Sequence, residues 1–252
     1  MRKEKKKKEK KNREKKRPAV CLSLSCDTIE QLKAEIEEYR KYCQIVEWCV
    51  DKTAGSKDYT EEEFKTILKE IKKLCREKKL IVDYKGDEEA GNRIQRWAMG
   101  IADIIDLDAD NGRIREMIRE AKRKKTKTLI SHHVFDRMPT RDEIATRFVK
   151  MERTGGDILK IACFAEKESE SYEILEAACA YTQLRNHTPI VAIAMGEEGQ
   201  ASRICAGDFG SVMTYSCGRV PTAPGQFNAK DLSKYLDIYY DCLLYTSDAA
   251  DD

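Results

Sequence analysis

The sequence predicts an α/β protein built as a single (β/α)8 TIM barrel, and three observations carry that prediction. Apolar runs of strand length alternate eight times with amphipathic helical stretches. Such alternation implies a parallel sheet with helices packed on its face. The repeats recur about every 22–35 residues over about 225 residues, the length of one closed barrel. The turn after the first run, "SLSCDT", is also not the Gly-rich phosphate turn that an open doubly wound sheet would bring.

The elements follow in order. "AVCLSLS" (19–25) is an apolar strand. Thr28 and Gln31 then form a capping-box signal, and Ile29, Leu32, Ile36 and Tyr39 recur at helical spacing. "CQIVEWCV" (43–50) is the second strand. Thr60 and Glu63 cap a helix whose face is Phe64, Ile67, Ile71 and Leu74. "KLIVDYK" (79–85) precedes a helix near 90–101, and "ADIIDLD" (102–108) precedes one carrying Ile114, Met117, Ile118 and Ala121. "KTLISHH" (127–133) leads to a helix capped by Thr140 and Glu143, with Ile144, Phe148 and Met151 on its apolar side. "DILKIAC" (157–163), a helix around 170–183, "TPIVAIAM" (188–195), a helix around 199–206, "GSVMTYS" (210–216) and a helix from about 229 complete the set.

The domain plan is a basic leader (1–17), a catalytic barrel (18–241) and a tail (242–252). The net charge of +2 hides an uneven layout. The leader holds twelve Lys/Arg against three Glu and has no apolar periodicity, so it reads as a disordered, solvated tail. Nucleic-acid binding is not expected of it. The tail "CLLYTSDAADD" reads as the translation of a sequencing adapter, not as native chain. No stretch approaches the roughly 20 apolar residues of a membrane span, and the leader lacks the apolar segment of a secretory signal. None of the ten cysteines falls in a C-x-x-C pair, which excludes a zinc ribbon or a thioredoxin-type motif. Most sit in apolar segments as reduced, small hydrophobes, so a reducing, cytoplasmic setting is expected.

In such a barrel, chemistry collects at the C-terminal ends of the strands. Polar residues there are Glu47, Asp51, Lys85, Glu89, Asp106, Asp108, His132, His133, Lys160, Arg203, Thr222 and Gln226. Lys160 interrupts the apolar run "DILKIAC". A buried lysine facing a histidine is how a Schiff-base nucleophile is built, with desolvation lowering the amine pKa. His132 reads as packing, Asp106 and Asp108 as partners of loop backbone, and His187 as structural.

Together these residues resemble the type I 3-dehydroquinate dehydratases over about residues 18–240. "IVEWCVD" is similar to that family's strand-2 motif and supplies Glu47 as a substrate contact. "SHHVF" resembles its histidine motif and "GGDILKIA" its lysine motif. "ASR" supplies Arg203 for the substrate carboxylate. "TAPGQ" resembles an S-A-P-G-Q loop and gives Thr222 and Gln226, and "EAG" supplies Glu89. The resemblance implies dehydration of 3-dehydroquinate to 3-dehydroshikimate in the shikimate pathway. Lys160 would form the imine, His133 would serve as general acid and base, and Glu89 would orient His133. It also implies a homodimer and neither metal nor organic cofactor. Two departures stand out: Cys49 where the family's Glu-x-Arg motif has arginine, and Lys85 where its strand-3 motif ends in arginine. Arg and Lys are not equivalent at a polar site. A Schiff-base aldolase and a weakly active or non-catalytic homologue are therefore the alternatives.

Overall fold

The computed structural model describes residues 17–245, with side chains described through 240; the leader before Arg17 and the residues after Tyr245 lie outside this range. Eight strands form: β1 (Ala19–Leu24), β2 (Ile45–Cys49), β3 (Lys79–Asp83), β4 (Ile104–Asp108), β5 (Lys127–Val134), β6 (Ile158–Phe164), β7 (Ile190–Met195) and β8 (Met213–Cys217). They alternate with α1 (Ile29–Tyr39), α2 (Glu61–Cys75), α3 (Glu88–Ala98), α4 (Ile114–Arg123), α5 (Arg141–Glu152), α6 (Ser171–Thr182), α7 (Gln200–Cys205) and α8 (Ala229–Tyr245). Parallel ladders join β1 through β7 in chain order, and β8 pairs with β1. Between β7 and β8 there is one bridge, Ile190 with Ser211, where the Val212 N–H donates to the Ile190 carbonyl at 2.9 Å. The cylinder is thus nearly closed, the architecture the alternation predicted.

The three capping boxes form at Thr28, Thr60 and Thr140. Each satisfies two N–H groups that would otherwise lack partners, a stabilisation of about 0.5–2 kcal/mol. Elsewhere the structure corrects local detail. Helix α3 begins at Glu88 because the Asp87 carboxylate accepts from the Ala90 N–H at 2.8 Å. The buried face of α2 is Phe64, Leu68, Ile71 and Cys75, with Ile67 and Leu74 on its flanks. The apolar stripe is wider than one row, and sequence spacing alone does not find its centre.

Strand alternation divides the core in two. Outward residues such as Leu22, Val46, Val82, Leu107, Ile130 and Ile161 pack against the helices. Inward residues Cys21, Ile45, Ile81, Ile104, Leu129 and Val191 plug the lower barrel. Trp48 stacks on Phe64 at 5.6 Å and donates through Nε1 to Thr53 Oγ1 at 3.0 Å. That contact fixes β2, so its flanking residues Glu47 and Cys49 face inward.

Candidate active site

One inward step above the apolar plug, the barrel interior turns polar. Ser23, Glu47, Asp83, Asp106, Ser131, Lys160 and Tyr215 are all buried there. The register places Cys49 beside Asp83, Asp83 beside Asp106, and Ser131 beside Lys160. A cavity of about 330 Å³ opens above this layer, and Lys160 and Tyr215 reach its wall. Of the residues the sequence singled out, Glu47, Lys85, His133, Lys160, Arg203, Thr222 and Gln226 all line it, as do Cys49 and Asp108.

Lys160 is 5% exposed. Its Nζ donates to Asp106 Oδ2 at 2.7 Å, lies 3.9 Å from Glu47 Oε1, and sits over the Tyr215 ring at 4.7 Å from its centroid. Lys85 Nζ donates to Asp106 Oδ1 at 2.8 Å and to Ser131 Oγ at 2.7 Å. Asp106 therefore accepts one ammonium on each oxygen, which corrects its reading as a partner of loop backbone. Burial pushes the Asp106 carboxyl up, but Lys160 and Lys85 outweigh it and hold the group well below the usual range. The expectation that desolvation lowers the Lys160 pKa is also corrected. Burial does pull it down, yet Asp106 and Glu47 overcome that, and the resting group is an ammonium held above the usual lysine range. Asp83, absent from the sequence reading, carries the opposite shift: burial, opposed by Lys85, pushes its carboxyl up to about 7.

His133 is the inward residue two beyond Ser131 and stacks on Phe135, centroids 5.7 Å apart. Burial, then the Lys160 and Lys85 ammoniums, lower its pKa to about 3. The ring is therefore neutral at physiological pH and free to accept a proton. His132 faces outward, where its Nδ1 meets Arg147 at 2.8 Å and Asp110 at 3.4 Å.

Arg203 is 1% exposed, and among the described residues no carboxylate pairs with it. Its guanidinium donates to the Pro224 carbonyl at 2.8 Å and to that of Tyr215 at 3.5 Å, while Nε has no partner. Burial lowers its pKa to about 10, so it stays charged. A buried guanidinium without a counter-charge calls for an anionic ligand. Losing one charge-assisted bond costs about 1.5–3 kcal/mol, so Arg203→Gln should raise KM about tenfold to 150-fold with a smaller change in kcat. Steady-state kinetics check this, and an unchanged KM would refute it.

The β8–α8 loop brings Thr222 Oγ1 to 3.0 Å from Ser23 Oγ, and Gln226 Oε1 accepts from the Thr222 N–H at 2.7 Å. Gly225, with φ +72°, makes this possible, since a Cβ there would meet the Gly196 carbonyl oxygen at 2.0 Å. Glu89 stands apart. It is exposed on the first turn of α3, does not line the cavity, and no hydrogen bond joins it to His133. The Asp87 cap sets the turn that carries it. In this structure the ring contact with Phe135, not Glu89, bears on His133.

Residues 20–242 match the family model of type I 3-dehydroquinase. The chain is 27% identical to the 3-dehydroquinate dehydratase of Clostridioides difficile (strain 630) over 238 residues, covering 89% of this chain and 92% of that one. It is 28% identical to the Bacillus licheniformis enzyme over 238 residues, covering 89% and 93%. In three dimensions it is similar to a type I 3-dehydroquinate dehydratase crystal structure from Clostridium difficile, with a TM-score of 0.83, 25% identity, and 90% and 94% of the two chains covered. The Aquifex aeolicus structure shares the fold, with a TM-score of 0.73 at 23% identity. A family match across nearly the whole barrel, joined to a buried lysine, a neutral histidine and an unpaired arginine around one cavity, places the chain in the type I 3-dehydroquinase family, as a hydro-lyase.

Proposed function

We propose that the chain dehydrates 3-dehydroquinate to 3-dehydroshikimate through an imine on Lys160, with His133 as general base and acid. The observation that carries this reading is the placement of the Lys160 amine at the cavity wall within the same polar layer that keeps His133 neutral. Lys160 must first pass a proton to His133, which returns it to the carbinolamine hydroxyl as that group leaves as water. A bound substrate that disturbs the contact with Asp106 removes the main interaction favouring the ammonium. The free amine adds to the C3 ketone, and loss of water leaves an iminium that draws electrons from C2. His133 takes the C2 proton and returns one to the departing C1 hydroxyl, so one water leaves. Hydrolysis of the imine frees Lys160. Arg203 holds the substrate carboxylate, while Glu47, Lys85, Thr222 and Gln226 contact its hydroxyls.

Two observations support the reading beyond geometry. The Clostridium difficile structure contains covalently modified comenic acid, which fits covalent chemistry in a site of this architecture. Lys85 supplies a cation where the family has arginine. We also propose a homodimer acting in the cytosol; among the described residues no helix is long and apolar enough to cross a membrane.

The test is reduction with borohydride in the presence of 3-dehydroquinate, followed by peptide mass spectrometry and assay of the conjugated enone. An adduct on the Lys160 peptide, with enone in the unreduced sample, is expected. Enone without any adduct would overturn the imine, and adduct without enone would point to another substrate.

A further inference from the structure

The polar layer holds more carboxyl groups than ammoniums. Glu47, Asp83 and Asp106 face two ammoniums, and Asp106 takes a hydrogen bond from both. Glu47 Oε1 and Asp83 Oδ1 are left buried with no hydrogen bond. Lys85 lies 3.2 Å from Asp83 Oδ1, an ion-pair distance without hydrogen-bond alignment. Lys160 is farther from Glu47, at 3.9 Å. Between the two carboxylates sits the Cys49 thiol, 3.9 Å from Glu47 Oε2 and 3.4 Å from Ser23 Oγ. The donor atoms of Glu47, Cys49 and Asp83 all lie within 4.8 Å of one another. These residues are 3%, 7% and 5% exposed, and all line the cavity.

We propose that Glu47, Cys49 and Asp83 form a binding site for a thiophilic divalent cation such as Zn2+, which would seal the cavity floor against substrate. One sulfur and two carboxylate donors suit Zn2+ or Cd2+ and do not suit Mg2+ or Ca2+, which prefer oxygen alone. Three protein ligands leave the fourth tetrahedral position open toward the cavity. The ion bonds to the Cys49 sulfur and displaces its proton to solvent. Lys85 keeps its hydrogen bonds to Asp106 and Ser131, so its ammonium has only the unaligned contact with Asp83 to give up to the ion. The site arises where the family's second-strand arginine is replaced by cysteine, since a guanidinium there would occupy the space and repel the ion. Only the exclusion of substrate rests on the proposed roles of Glu47 and Lys85; metal binding does not.

The test is titration of the full chain with Cd2+, followed by the ultraviolet sulfur-to-cadmium charge-transfer absorption, with Zn2+ as competitor. The expected result is a saturable band at one equivalent. It should be absent in Cys49→Ala and weakened at least tenfold in Asp83→Asn, with circular dichroism reporting that both variants fold. Cys49→Ser serves if alanine disturbs the barrel, because it removes the sulfur signal while keeping the size. A band of full strength in the cysteine variants would overturn the site, as would one that follows Cys26, whose thiol lies 3.7 Å from Glu35. So would the lack of any saturable band in the unaltered chain. Under the same conditions Zn2+ should raise the apparent KM without lowering kcat. Binding without that rise would refute the overlap with substrate alone.

Discussion

Lys160→Met should abolish turnover and also destabilise the fold, and a second substitution should restore only the fold. Removing a covalent nucleophile from a unit of cooperating residues lowers kcat by at least about 10⁴-fold. The structural cost has a different origin. Lys160 and Lys85 each occupy one oxygen of Asp106, which is fully buried. Deleting one partner of a buried ion pair costs about 3–5 kcal/mol, because the remaining charge is left without compensation. Lys85 still serves the other oxygen, so the lower end of that range is expected. Adding Asp106→Asn to Lys160→Met removes the surplus charge and should recover at least half of the lost stability, while activity stays absent. Urea unfolding midpoints and single-turnover assays separate the two effects. A Lys160→Met chain with turnover within tenfold of the original would sink the imine. One as stable as the original would sink the ion pair.

The fold and the site were legible to different depths. The barrel was readable because eight apolar runs and three capping boxes are local signals, and local signals survive folding. Lys160, His133 and Arg203 were readable because each sits in a motif at a strand end or in the helix that follows. Asp83 carries no motif, and Ser131 opens "SHHVF" without being singled out by it. They lie two residues before Lys85 and His133, and strand alternation puts residues i and i+2 on the same face. Applying that rule inward from each mouth residue would have found both. Asp106 was seen but misread, because its importance comes from Lys85 and Lys160 on other strands, and no spacing along the chain reveals such a pairing. The ordinary rule that buried amines lose their proton failed at Lys160 for the same reason: the counter-charges come from β2 and β4. Glu89 shows the reverse limit, where a motif fixes position in the chain but not the direction of the side chain.

His133→Asn and Asp83→Asn should tilt the stability–pH curve in opposite directions. For His133 the folded pKa is about 3 against an ordinary 6.5. Between those values the unfolded chain binds more protons, so stability rises with pH and is lost as pH falls. Asp83 is the mirror case, with a folded pKa of about 7 against an ordinary 3.8. There the folded chain holds the extra proton, so stability is full below the ordinary value and is lost as pH rises toward 7. A single proton's difference corresponds to a slope of at most about 1.4 kcal/mol per pH unit. The two slopes oppose each other across most of the window. His132, also lowered by burial, adds to the first slope and is common to all three chains. Unfolding free energies at about pH 5 and about pH 6.5 should therefore show His133→Asn losing stability relative to the unaltered chain as pH rises, and Asp83→Asn gaining it. Parallel curves for all three chains would refute both shifts. The same shift bears on the chemistry. An imidazole kept neutral by burial and by two ammoniums is ready to accept a proton at any physiological pH. An iminium on Lys160 keeps one of those positive charges in place, so once His133 has taken the C2 proton it is a strong acid. That is the condition for returning the proton to the leaving hydroxyl. His133→Asn should then lower kcat by about 10²–10⁴-fold, while borohydride still traps the substrate on Lys160.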